Sequence, residues 1–400
     1  MSHRTQSVSM NKQTFASTHE HAGAAAYLDC NATTPIEPAV LEAMQRAWAD
    51  SPSNAGSRTH EYGTRAKKAV QTARTQIAEP IGAQADEVIF TSGATESNNI
   101  ALLGLSAFGE RSGRRHIVST AIEHKAVLEP LEQLEKRGFE ITLIAPDGSG
   151  AIKPEQVHEA MRGDTLAVSV MYVNNETGVG QPLEEIAGLL EGHEAYFHVD
   201  AAQGYGKDNA ALANPRIDLV SISSHKVFGP VGVGALIARR RGFKRPPLEP
   251  LMFGGGQERG LRPGTLPVPL IIGFGLAAEL AAAEAAGRRE KCRSIRREAV
   301  AALEPLGIVL NGDESLMMPH VLNFSIDGID SEAVMVALKG LAAISNGSAC
   351  TSLSYEPSHV LKAMGLSETR TAGAVRVSWC HLTGQVDWPG IAERLRLLRD

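Results

Sequence analysis

The chain has 400 residues, 43% hydrophobic and 21% charged, the balance of an ordinary globular protein with room for one large domain and an appended one. Its net charge of −6 offers no general attraction to nucleic acid or to an anionic membrane, and no apolar run approaches the length of a membrane span. The four cysteines, Cys30, Cys292, Cys350 and Cys380, lie far apart with no C-x-x-C pair, so no zinc knuckle, disulfide framework or other metal site is expected.

Residues 1–26 are polar, rich in His, Ser and Thr, and lack an apolar signal core. They read as a disordered or appended tail, with the cytoplasm as the expected compartment. Folded structure is expected from Tyr27-Leu28-Asp29, followed by Cys30-Asn31-Ala32-Thr33-Thr34-Pro35. Residues 36–48 have helical spacing, and 60–79 form a longer amphipathic helix. The stretch 86–108 reads as strand, glycine turn and helix. Strands and helices then alternate: HIVST, a helix over 124–137, FEITLIAP, a helix over 155–162, TLAVSVMYV, a helix over 182–191, and AYFHVDAAQ. That alternation predicts an α/β fold with a mostly parallel sheet covered by helices on both faces. After residues 251–265 the pattern changes. An Ala-rich stretch from about 267 to 304 reads as one long connecting helix. Beyond it, short strands (GIVLNG, HVLNFSID, AVRVSW) mix with helices near 331–339, 356–364 and 384–398 in a smaller α+β domain. The expected division is a large domain over 36–275 and a small one built from 27–35 and 276–400.

The segment IDLVSISSHKVFGPVGVGALIA, residues 217–238, carries Lys226 to the end of an apolar run, next to a turn at Gly229-Pro230. An ammonium at the edge of a core can act as a Schiff-base lysine, because desolvation frees its lone pair; a lysine snorkelling from a strand end is the alternative. Phe197-His198-Val199-Asp200-Ala201-Ala202-Gln203 sets an acid at the end of another buried strand, one crossover earlier. A carboxylate there is costly unless paired, and an arginine is one candidate partner. An amine and an acid side by side at the carboxyl edge of one sheet suit pyridoxal phosphate, which needs a lysine for its aldehyde and an acid for its pyridinium nitrogen. Thr91-Ser92-Gly93-Ala94-Thr95-Glu96-Ser97 turns through a glycine into a helix start whose amides and dipole suit the phosphate. Plain capping by Ser or Thr is the alternative. The segment has neither G-x-G-x-x-G nor a Walker loop, which argues against dinucleotides and ATP.

His124, in Ala121-Ile122-Glu123-His124-Lys125, stands at a further strand-to-helix junction. It reads either as a ring that stacks on the pyridine and moves protons or as a helix cap. Val173-Asn174-Asn175-Glu176-Thr177-Gly178 is a polar strand end able to hydrogen-bond the cofactor's phenolic oxygen. Cys350, in the Gly/Ser-rich segment Ser345–Ser352, reads as an exposed, mobile nucleophile, whereas Cys30, Cys292 and Cys380 fit the buried class. Arg239-Arg240-Arg241, with Lys244 and Arg245, reads as a solvated turn rather than a DNA contact.

Taken together, SGATES, EHKAV, NNETG, HVDAAQ, SSHK, GGGQERGLRPGT and GSACTS resemble the NifS/IscS-type cysteine desulfurases over essentially residues 27–398. The resemblance implies the pyridoxal-phosphate fold type I, with a seven-stranded sheet, and a homodimer whose sites lie at the subunit interface. It implies Lys226 as the aldehyde-bearing lysine, Asp200 on the pyridinium nitrogen, and Gln203 and Asn175 on the cofactor oxygen. His124 would stack on the ring. Ala94, Thr95, Ser223 and His225 would hold the phosphate, and Thr265 would reach the phosphate in the partner subunit. Arg376 would bind the substrate carboxylate, with Asn31 and Asn175 at the substrate, and Cys350 would carry the persulfide. L-cysteine is then the substrate and an acceptor protein takes the sulfur. No membrane and no direct nucleic-acid contact are expected. The CNATTP start, and an end at Asp400 without a scaffold-docking tail, resemble the desulfurase of bacterial DNA phosphorothioation systems. A housekeeping iron–sulfur or tRNA-thiolation donor, a selenocysteine lyase or other fold-type-I enzyme, and a non-catalytic scaffold are the alternatives. Cys30 and Pro263 depart from the family pattern without removing a catalytic group.

Overall fold

The computed structural model describes residues 25–50, 54–346 and 357–399, so Cys350 lies outside the described residues. The described chain opens with β1 (Ala26–Tyr27). Seven strands then build one sheet: β2 (Val88–Thr91), β3 (His116–Thr120), β4 (Glu140–Ile144), β5 (Thr165–Met171), β6 (Tyr196–Asp200), β7 (Leu219–Ser223) and β8 (Gly234–Ala238). Their order is β2-β8-β7-β6-β5-β3-β4. All pairs from β7 to β4 are parallel, and only β8 runs against its neighbours β7 and β2. This is the expected mostly parallel, seven-stranded sheet. Its central strands read as unbroken runs of Val, Ile, Leu and small residues because helices bury both faces; every residue of β5, β7 and β8 is buried. The β2 edge is closed by an ion pair. Glu258 accepts from the Phe90 amide at 2.8 Å and pairs with Arg74, which also donates to the Val88 carbonyl.

The stretch 267–304 is not one long helix. It is two, Val268–Ala283 and Ala285–Leu303, bent by 75° at Glu284. The first is apolar all round and sits in the large core, with Ile271, Phe274, Ala277 and Ala281 at most 1% exposed. It packs on the helices Pro38–Asp50 and Glu61–Ala78, so closely that a Cβ on Gly275 would lie 2.7 Å from Ala73 Cα. The second is charged and turns Cys292, Ile295, Ala299 and Leu303 into a separate core. Two cores in different directions require the break. Among the described residues no single helix is long and apolar enough to cross a membrane.

The second core lies beneath β9 (Ile308–Leu310) and β10 (Val321–Ile326); after them come β11 (Ala342–Ala343) and β12 (Val375–Ser378). β9, β10 and β12 form an antiparallel sheet in the order β12-β10-β9, and β11 pairs in parallel with β1. Leu28 is fully buried in this core, so the N-terminal segment belongs to it in space. The short helix Glu368–Ala372 had no signal in the periodicity.

In the basic run after β8, Arg240, Arg241, Lys244 and Arg245 are exposed around a turn as expected, but Arg239 is not. Arg239 is 7% exposed and donates to the carbonyls of Ile81, Leu212, Asn214 and Ile217. Arg241 forks onto Asp218, and Arg240 and Arg245 reach Asp86. Capping carbonyls inside the fold engages the Arg239 guanidinium, which a charge count cannot reveal.

Candidate active site

Lys226 ends a single helical turn, Ser224–Lys226, that follows β7. Phe228, two residues on, has φ of 66°, a left-handed conformation unusual for an aromatic residue. It is held there because its amide donates to Thr34 Oγ1 at 3.0 Å and its carbonyl accepts from the Glu37 amide at 2.9 Å. The reversal aims Lys226 Nζ at the carbonyls of Asn31 and, at 2.7 Å, Ala32. The CNATTP segment is thus the seat of the ammonium.

Asp200 is the last residue of β6, which lies beside β7 as expected. It is 4% exposed and accepts from Asn98 Nδ2 at 2.8 Å and from the Ala202 amide at 3.0 Å. These neutral donors take the place of the arginine considered from sequence. Asn98 was missed there, although its spacing from Thr95 on one helix was a usable signal. That helix, Ala94–Leu103, starts behind Gly93 with no side-chain cap, so capping by Ser or Thr does not explain the SGATES turn. The turn sits tightly against β8: a Cβ on Gly234 would lie 2.6 Å from Gly93 Cα and 2.5 Å from the Ile222 carbonyl.

His124 fulfils the capping reading and still borders the cavity. Its Nδ1 accepts from the Ala126 amide at 3.0 Å, which leaves the proton of the neutral ring on Nε2. Burial lowers its pKa, opposed by Asp200 and aided by Lys226. Next to it, the fully buried Glu123 accepts from Thr120 Oγ1 at 2.7 Å and from the Met171 amide at 2.8 Å through one oxygen. Burial pushes its pKa up to about 8, so the acid is protonated at neutral pH. His225 is held neutral, its pKa pushed down to about 4 by burial and then by Lys226.

Arg376 comes from β12 in the second core and is 1% exposed. It donates to the Asn175 carbonyl at 2.9 Å and to Asp29 Oδ1 at 2.6 Å. Asn31 Nδ2 donates to the same carbonyl at 3.1 Å, and Gln203 Nε2 donates to the Asn31 carbonyl at 2.8 Å. The chain that flanks Cys350 is tied to these groups at both ends. The Ser345 and Arg376 backbones pair, with Arg376 N donating to Ser345 O at 2.7 Å. Ser358 Oγ donates to the buried Glu176 carboxyl, and His359 Nε2 donates to the Glu123 carbonyl at 2.9 Å.

These segments surround a cavity of about 430 Å³ bordered by Asn31, Thr95, His124, Asp200, Lys226 and Arg376. Ala94, Asn175, Gln203, Ser223 and His225 border it as well. Thr265 is exposed and does not. The volume suits a cofactor-sized ligand. Three buried polar atoms on its lining residues, Asn31 Oδ1, Asn98 Oδ1 and Arg376 Nε, have no partner among the described residues. Such atoms need a polar ligand or water. Amine, carboxylate, neutral imidazoles, hydroxyls and helix amides together fit pyridoxal 5'-phosphate.

The Aminotransferase class-V family model matches residues 26–387. A "Cysteine desulfurase IscS" from an Anaeromyxobacter species is 42% identical over 381 residues, 94% of this chain and 93% of its own. The crystal structure of DndA from Streptomyces lividans is 52% identical, with a TM-score of 0.78, and covers 86% of this chain and 97% of its own. A structure of a NifS-like protein reaches a TM-score of 0.86 at 33% identity, covering 94% and 99%.

Proposed function

We infer residue roles from one premise: the chain belongs to the class-V aminotransferase family and is a pyridoxal-phosphate-dependent cysteine desulfurase. The reaction converts L-cysteine and an enzyme thiol into L-alanine and an enzyme persulfide, a balanced transfer of one sulfur atom. Pyridoxal 5'-phosphate, when bound, supplies an electron-withdrawing ring that stabilises negative charge at the substrate's α-carbon.

The remaining work falls to the chain. Lys226 Nζ, seated on the Asn31 and Ala32 carbonyls, holds the cofactor's aldehyde and, once displaced, carries the α-proton. Asp200, fixed by Asn98, holds the positive charge of the ring nitrogen. The amides at Ala94 and Thr95, with Ser223 and neutral His225, receive the phosphate. Arg376 is oriented by Asp29 and Asn175 to take the substrate carboxylate. His124 exchanges protons at the substrate sulfur through Nε2, since Nδ1 is occupied by its cap. Cys350, as thiolate, attacks that sulfur, forming the S–S bond as the C–S bond breaks. Thr265 serves a second copy in a homodimer.

The observation that carries this reading is the meeting of Lys226, Asp200 and Arg376 in one cavity, brought there by three separate strands. Adding L-cysteine to the purified holoenzyme should yield alanine and a mass gain of one sulfur on Cys350. Cys350→Ala forming alanine with protein-bound sulfur would refute the assignment. The likeness to DndA supports a finer reading, in which an acceptor protein of DNA phosphorothioation takes the sulfur. Recovery of only an iron–sulfur scaffold or a tRNA-thiolation protein in a pull-down would refute it.

A further inference from the structure

A second cavity lies on the other side of the ammonium seat. It is bordered by Cys30, Cys292, Cys380, Lys207, His320 and His381, measures about 40 Å³, and has no carboxylate in its lining among the described residues. That is room for roughly three waters. Three of the four cysteines of the chain therefore meet in one small space, although they come from distant stretches of the sequence. The site described above uses none of them.

Two of the thiols are closer partners than the third. Cys30 and Cys380 are each 2% exposed and, with Phe228, form a small buried cluster of their own. Their backbones run side by side: Ser378 N donates to Leu28 O at 2.8 Å, and Cys30 N donates to Ser378 O at 3.2 Å. The bridge itself pairs Asp29 with Ser378, and Cys30 and Cys380 follow it where both chains turn away from the ladder. Their sulfurs lie within hydrogen-bonding reach of each other, the proximity a disulfide needs. Around Cys380 the turn is arranged to donate toward sulfur: its amide bonds Thr383 Oγ1 at 2.9 Å, and that hydroxyl donates to Cys380 Sγ at 3.8 Å. The hydrogen bond from Cys30 is the first cause that lowers the Cys380 pKa, to about 6, and the same bond pushes Cys30 up. Burial pushes Cys292 up to about 12, which leaves it an inert thiol. Lys207 brings an amine to the cavity from the Gln203 side, where it donates to Gln203 Oε1 at 3.1 Å, and burial lowers its pKa to about 7.

We propose that Cys30 and Cys380 form a dithiol oxidation site that takes a peroxide in the rear cavity and closes to an intramolecular disulfide. The Cys380 sulfur attacks the O–O bond, is oxidised to the sulfenic acid, and one oxygen leaves as water. The Cys30 sulfur then displaces the hydroxyl from Cys380, forming the S–S bond and releasing the second water. Two thiols lose two electrons and two protons, and hydrogen peroxide becomes two waters. The bond would tie Cys30, immediately before the Asn31 carbonyl that seats Lys226, to the strand end that follows Arg376.

The test uses holoenzyme carrying Cys350→Ala, in which three cysteines remain. It is exposed to hydrogen peroxide until glutathione in the same tube is oxidised, then denatured, alkylated and digested without reductant. The proposal expects free thiols to fall from three to one, a peptide pair joining Cys30 to Cys380, and alkylated Cys292. Dithiothreitol should restore all three thiols. Adding Cys30→Ser should remove the cross-link and carry Cys380 on to the sulfinic acid. Retention of three thiols, or a disulfide that includes Cys292, would overturn the proposal, and neither readout depends on the double variant folding.

Discussion

His124 caps a helix through one nitrogen, and substitution can separate that cap from the proton transfer proposed for the other. Its Nδ1 caps the helix Lys125–Glu135 by accepting from the Ala126 amide, and its Nε2 is the atom to which the proposed function assigns the proton exchange. Asn carries Oδ1 at the position of the imidazole Nδ1, so His124→Asn keeps an acceptor for that amide and removes the titrating ring. Asn is among the best capping residues, whereas Ala at a cap costs roughly 0.5–2 kcal/mol. Loss of a general acid–base group costs about 10²–10⁴ in rate. We therefore expect His124→Asn to unfold in urea within about 0.5 kcal/mol of the parent while alanine formation falls by at least about 10²-fold. His124→Ala should show the same loss of rate and an added loss of stability. The assays are urea denaturation and alanine release from L-cysteine, with cofactor absorbance as a check on occupancy. His124→Asn keeping more than about a tenth of the parent rate would show that the ring only caps its helix.

Glu123 tests the same junction through pH. Its folded pKa, raised from 4.5 to about 8, means that the folded chain holds a proton the unfolded chain releases, so its contribution is complete below pH 4.5 and is lost as pH rises toward 8. Replacing it with Gln should remove that dependence, widening the stability advantage of the variant by about 1.4 kcal/mol per pH unit in urea titrations between about pH 5 and 7. Parallel curves would count against a protonated Glu123. Gly234→Ala forces backbone contacts of 2.5 and 2.6 Å apart, so the SGATES turn must shift. Cofactor affinity should drop at least about tenfold by absorbance titration, since overpacking of this kind costs about 1–3 kcal/mol; unchanged affinity would refute the coupling. Ser358→Ala leaves the buried Glu176 carboxyl short of its donor, at about 1–3 kcal/mol. Persulfide formation on Cys350 should slow with the cofactor spectrum unchanged, and an unaltered rate would mean that this anchor has no part in sulfur transfer.

The large sheet was legible because burial on both faces forces a sequence signature: strands such as Leu219–Ser223 and Gly234–Ala238 are built from apolar and small residues throughout, and helices separate most of the parallel ones. Lys226, Asp200 and the Gly93 turn were legible for the opposite reason, as polar groups at strand ends where polarity is costly. What stayed hidden depends on distant partners. The break at Glu284 follows from two cores pulling adjacent helices apart, and nothing in the Ala-rich periodicity marks it. Arg239 looked solvated because the four carbonyls it caps come from two other stretches of chain, around Ile81 and over 212–217. The partners Asn98 and Ser358 escaped notice because each carries only an ordinary polar side chain. Cys30, Cys292 and Cys380 read correctly as buried, but their meeting around one cavity is a property of the fold alone.

The position of β2 also bears on how the protein is made. Among the described residues β2 pairs with no strand except β8, and the partners are as distant as Val88 and Ile237. Closing so long a loop is entropically slow, so this pairing belongs late in folding. Until β8 docks, the Gly93 turn, proposed above to receive the phosphate, lacks the strand it packs against most tightly, even if the parallel strands leading to Asp200 and Lys226 have already formed. On that proposal a growing chain can hold its acid and its lysine before its phosphate seat is set. Capture of the cofactor must then wait until the polypeptide has left the ribosome beyond Ala238, which makes cofactor loading a readout of a completed large sheet.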